Sequence, residues 1–126
     1  MNTTTLPRPV LLQTLWLVLV LSFLWCDVVS LMDPQDPYTG MNEWTLTAAG
    51  VWMLVPVLMI VLSRLLRRRT GRPLGITVAA LLMLGHVGSL FMGMPTPYYV
   101  LFSVVEVATM VTIIVLTWTW PADDQV

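Results

Sequence analysis

Lysine is missing from this chain altogether, and charged residues make up only 10% of its 126 positions, against roughly 25% in a soluble domain. So little charge leaves no basic surface on which to build a nucleic-acid interface. Cysteine occurs once, at Cys26, which excludes an intrachain disulfide and reads as a buried apolar thiol. Histidine also occurs once, at His86. With no clustered ligand spacing the sequence offers no metal site, and a single imidazole is a poor basis for a haem. There is no glycine-rich phosphate loop and no nucleophile beside an evident base. Cofactors are therefore not expected, and the chain reads as non-enzymatic.

What is present in abundance is apolar length. Hydrophobic residues make up 57% of the chain. They gather in four runs, Val10–Met32, Trp44–Ser63, Leu74–Met94 and Pro97–Trp120. Each is close to the ~20 residues a helix needs to cross a hydrocarbon core. The expected fold is all-α, a polytopic membrane four-helix bundle forming one domain over residues 1–126, with helices near 10–32, 44–66, 73–94 and 97–120. The first run is longer than a signal-peptide core, and no Ala-x-Ala site follows it, so it reads as a retained helix.

Five of the six basic residues, Arg64, Arg67, Arg68, Arg69 and Arg72, lie between the second and third runs. The other two connections carry none. Cytoplasmic connections are enriched in Lys and Arg, so this arrangement predicts a cytoplasmic arginine hairpin. Arg8 agrees with it, giving an N-in/C-in topology. The same arginines are candidate contacts for anionic lipid headgroups. Arginine used to the exclusion of lysine suggests a GC-rich bacterial genome, hence a multi-pass protein of the bacterial inner membrane.

Local signals punctuate the runs. Asp33-Pro34-Gln35-Asp36-Pro37 ends the first helix, because proline removes donors and restricts its predecessor. Pro56 sits inside the second helix and predicts a kink. Gly71 is expected to close the arginine hairpin and Pro73 to open the third helix. Trp44, Tyr98 and Tyr99 read as one aromatic belt, with Trp118 and Trp120 as the other. On the third helix Gly75, Ala79, Leu82, His86, Ser89 and Gly93 share a face at three- and four-residue steps. Gly85 and Ser89 form a second small pair. Small residues at that spacing let helices approach closely, either within the bundle or in a homodimer.

Three ionisable residues fall inside the runs: Asp27, His86 and Glu106. Placing such groups in hydrocarbon costs several kcal/mol, so they are functional candidates by default. A rise of 1.5 Å per residue puts them at depths of roughly 8, 10 and 13 Å from the same, outward end. Asp27 shares a face with Gln13, Trp16, Val20, Phe23 and Ser30. Glu106 shares one with Ser103, Thr109, Met110, Ile113 and Thr117. The three are expected to converge on an outward-opening polar pocket for a lipid or small amphiphile. A homodimeric proton-coupled transporter is the alternative, and a membrane isomerase or quinone-linked enzyme using His86 and Glu106 a further one. The expected partners are membrane lipids, a second copy or a larger membrane complex, and not nucleic acid.

The run Leu24-Trp25-Cys26-Asp27-Val28-Val29-Ser30-Leu31-Met32-Asp33-Pro34 resembles the first helix of an uncharacterised bacterial four-helix membrane family. Val55-Pro56 followed by Leu62-Ser63-Arg64, and Pro95-Thr96-Pro97-Tyr98-Tyr99 with Glu106 beyond, are similar to it too. The likeness covers most of residues 14–120 and implies the four-helix fold but no activity. That family's pattern has an acid just before the second-helix proline, where this chain has apolar Leu54, so a role for that acid does not carry over. A looser likeness joins the Asp that ends helix one and the following Asp-Pro to DoxX-like and EXPERA-type four-helix proteins. It is one of architecture only.

Overall fold

The computed structural model describes residues 7–32, 42–91 and 96–121. Among these, all regular structure is helical: α1 (Arg8–Leu31), α2 (Glu43–Leu65), α3 (Arg68–Leu90) and α4 (Pro97–Trp118). The helices contain 24, 23, 23 and 22 residues. At 1.5 Å per residue they run about 33–36 Å, and all four are long and apolar enough to cross a membrane.

Each start has a local cause. α1 carries Pro9, and α4 begins on Pro97, where a missing N–H is no loss. α2 is capped by Asn42, whose Oδ1 accepts from the Thr45 N–H at 2.8 Å. Glu43 lies in its first turn, at the positive end of the helix dipole. The start of α3 differs from the sequence expectation. The helix begins at Arg68 rather than near residue 73, so Gly71 and Pro73 lie inside it. The Gly71 N–H closes the first turn onto the Arg67 carbonyl at 2.7 Å. Pro73 withholds only the bond to the carbonyl of Arg69, a residue exposed at the helix end. Leu66 and Arg67 alone therefore link α2 to α3. α3 ends at Leu90, where the Phe91 N–H turns back to the Gly88 carbonyl at 3.1 Å. Gly93 and the rest of the expected last turn lie outside the described residues.

The four helices stand at the corners of a square in chain order. α1 packs against α2 and α4, and α4 against α3, whereas α2 and α3 meet along a thin seam. Cross-links at the two ends make neighbours antiparallel. Arg8 of α1 reaches the last turn of α4, while Ser89 late in α3 reaches Tyr99 early in α4.

The buried stripe of α1 is Leu12, Trp16, Leu19, Phe23, Cys26 and Ser30, steps of three and four that keep one seam inward. α4 contributes Met110 and Ile113, α3 Ala79 and Leu82, and α2 Met59 and the fully buried Pro56. Pro56 thus faces the bundle rather than its surroundings, within an unbroken helix. The outer surface is the apolar one, with Leu17, Leu21, Leu54, Leu58, Leu84 and Val104 all exposed. Water would penalise such a surface, and lipid would not.

Interior hydroxyls satisfy themselves locally. Ser30, Thr109 and Thr117 each donate to the carbonyl one turn back, Cys26, Val105 and Ile113, at 2.8, 2.8 and 2.6 Å. Of the small residues on α3, Gly75 packs against α4. A Cβ there would sit 3.3 Å from Thr117 Cγ2. Ala79 is fully buried. Ser89 is exposed and serves hydrogen bonding instead of helix packing.

Trp120 corrects the belt reading. It is buried at 3% exposure within the core, whereas Trp118 is exposed.

Candidate functional site

The arginine-bearing end is closed by the arginines themselves. A helix leaves its last four carbonyls without intrahelical donors, and they carry the negative end of its dipole. At the end of α4 these groups meet cations. Arg8 Nη1 donates to the Leu116 carbonyl at 2.8 Å and to Thr119 Oγ1 at 2.9 Å. Arg68 Nε donates to the Trp120 carbonyl at 2.8 Å. Arg72 Nε donates to the Thr117 carbonyl at 3.3 Å, Arg72 Nη2 donates to that of Trp118, and the guanidinium lies 5.3 Å from the Trp118 ring centre. Arg64 Nη1 donates to Gln13 Oε1 at 3.1 Å. Arg67 and Arg69 are exposed. Capping by Arg8, Arg68 and Arg72 was not legible beforehand, because nothing local in the sequence pairs them with residues 116–120.

Toward the opposite end, the structure brings Asp27, His86 and Glu106 onto one cavity of about 210 Å³, with walls from all four helices. Glu106 is the deepest. Its side chain is 1% exposed and that of His86 10%. His86 Nε2 lies 3.1 Å from Glu106 Oε2 and 2.9 Å from Ser103 Oγ, so a proton on Nε2 serves both oxygens as a forked donor. The ring is held from two sides, stacked on Tyr99 at 5.8 Å and tilted against Phe23 at 6.0 Å. Ser89 completes the clamp. Its Oγ lies 2.7 Å from the Tyr99 hydroxyl and donates to the His86 carbonyl at 2.6 Å.

Glu106 Oε1 is buried and has no hydrogen-bond partner among the described residues. Leaving such a group unsatisfied costs roughly 1–3 kcal/mol. Asp27 is half-buried at the margin of the cavity. It also lines a second, apolar groove of about 420 Å³ between α1 and α2, with Leu31, Leu46, Ala49, Gly50, Trp52 and Met53. Trp52 and Met53 belong to both spaces.

Trp52 is a wall residue that no sequence pattern singles out. Its indole lies over Gly85, where an added Cβ would come 2.6 Å from Cζ2. The contact lies in the seam between α2 and α3, where the missing side chain of Gly85 admits the indole. Tyr99, read from the sequence as belt, is a clamp on the imidazole. Among the described residues no group of three or more His, Cys, Asp or Glu could hold a metal ion.

Fold and site together define a small all-α protein of four potential membrane-crossing helices around a cavity lined by two carboxyl groups, an imidazole and aromatic rings. The chain belongs to the family described as "Family of unknown function (DUF6326)", whose profile matches residues 5–126. No curated protein and no solved structure matches it. The likeness to DoxX-like and EXPERA-type proteins finds no support in these matches.

Proposed function

We propose that this chain is a non-enzymatic membrane module that holds a small amphiphile, its polar head in the Glu106 cavity and its apolar chain in the groove between α1 and α2. The observation that carries the reading is the buried, unpartnered Oε1 of Glu106 in a cavity that shares Asp27, Trp52 and Met53 with an apolar groove. A cavity of about 150 Å³ is enough for benzene. The 210 Å³ here suits a head group but not a whole lipid, and the adjoining groove supplies room for the rest.

In the same reading the four helices span the membrane, with the arginine end and both termini on the cytoplasmic side and the cavity toward the outside. Two experiments test this. Native mass spectrometry of protein extracted from its own membrane is expected to show a retained amphiphile, lost from Glu106→Gln and His86→Ala. Unaltered retention in both variants counts against the site. Arg69→Cys in a Cys26→Ser background is expected to react with an impermeant maleimide only from the cytoplasmic face. Reaction from outside alone reverses the topology.

A further inference from the structure

We propose that the head held by the cavity is cationic, an ammonium or quaternary ammonium group on a single apolar chain; this rests on the amphiphile reading above. Two carboxyl groups, Asp27 and Glu106, line the space, and neither lysine nor arginine does. The arginines are all remote. Arg8 precedes Asp27 by 27 − 8 = 19 residues of one helix, about 28 Å of rise. No basic residue other than His86 occurs between Arg8 and Arg64 or after Arg72. The connection from α1 to α2 adds acids, Asp33 and Asp36, and α2 opens on Glu43. The end of the molecule that holds the cavity is therefore acidic, and a field of that sign concentrates cations there.

The second and independent observation is the orphan acceptor. Glu106 is 1% exposed, and its Oε1 faces no donor among the described residues. His86 meets the other oxygen, so what Oε1 lacks among the described residues is a donor or a positive charge. Phe23, Trp52 and Tyr99 supply aromatic surfaces around the same space, and ring faces attract ammonium groups electrostatically. A phosphate or carboxylate head would face two acids with no arginine to offset them. A neutral hydroxyl head could donate to one carboxylate oxygen but would gain no charge attraction from the second acid or from the ring faces.

The test uses the full chain in maltoside micelles and two photoreactive probes, an alkyltrimethylammonium and a hydroxyl-headed analogue. Both carry the same chain, with a diazirine near its far end. Cross-linked sites are mapped by mass spectrometry. The cationic probe is expected to label residues around Leu46, Ala49 and Leu31 saturably, at a concentration at least tenfold below that of the neutral one. Glu106→Gln is expected to abolish that preference, and Asp27→Asn to reduce it severalfold. Helicity and elution volume check that each variant is folded, and Asp27→Asn carries the test if Glu106→Gln is not. Equal labelling by both probes overturns the cationic head while leaving the amphiphile reading standing. A preference unchanged in both variants likewise overturns it. If neither probe labels the groove, both proposals fall.

Discussion

The two ends of this bundle treat polar groups in opposite ways. At the arginine end, Arg8, Arg68 and Arg72 direct donors at the carbonyls of Leu116, Thr117, Trp118 and Trp120, and Gly75 lets α3 close on Thr117. At the other end Glu106 keeps a buried oxygen without a partner beside a 210 Å³ space. The thin α2–α3 seam there includes an indole laid over a glycine. Both ends are built from residues costly to place in lipid. One end meets most of that cost within the fold, and the other leaves a buried carboxylate oxygen for something that binds. Stability should accordingly concentrate at the first end, and ligand dependence at the second.

The sharpest way to break this contrast is Gly75→Leu. Forcing a large side chain between α3 and Thr117 overpacks the closed end and is expected to cost about 3 kcal/mol, read by unfolding in mixed micelles. A cost below ~0.5 kcal/mol means that this contact is not tight. Next in size is Arg72→Ala, which removes charged hydrogen bonds to two carbonyls and the contact with Trp118. A loss of about 2 kcal/mol is expected, with partial recovery in Arg72→Lys, which keeps the charge but not the planar fork.

Glu106→Met should carry the opposite sign. Exchanging the carboxyl, with its one unpartnered oxygen, for an unbranched apolar side chain is expected to raise the stability of ligand-free protein by about 1 kcal/mol while ending retention of the amphiphile. A clear destabilisation would show that the carboxyl is there for the fold. The smallest effect belongs to Gly85→Ala, where the new methyl displaces the Trp52 indole. Tryptophan emission should shift with a stability change under about 1 kcal/mol, and an unshifted spectrum argues against the seam contact.

Much of the architecture was legible because apolar run length is a direct physical requirement for crossing lipid. Glu106 was assigned its correct face, since Ser103, Thr109, Met110, Ile113 and Thr117 at helical spacing are all buried with it. Of the face that Asp27 shares with Gln13, Trp16, Val20, Phe23 and Ser30, Trp16, Phe23 and Ser30 are buried, whereas Gln13, Val20 and Asp27 itself are half-buried. The seam also runs through Leu12, Leu19 and Cys26, leaving Asp27 on its shoulder. A polar residue marks the edge of a core more often than its middle.

Arg68 and Arg72 looked like topology signals because composition alone carries no information about which carbonyls a guanidinium will reach. The same holds for Trp120, whose burial depends on α3 beginning five residues earlier than Pro73 suggested. Trp52 was invisible for a related reason. An indole opposite a glycine on another helix leaves no local pattern.

The most direct measurement of the central claim is an experimental structure determined from a lipidic phase without delipidation. The account predicts elongated density running from hydrogen-bond distance of Glu106 Oε1, past Asp27, into the groove beside Leu46 and Ala49. A cavity filled only by ordered water bonded to Oε1, with nothing in the groove, would contradict it.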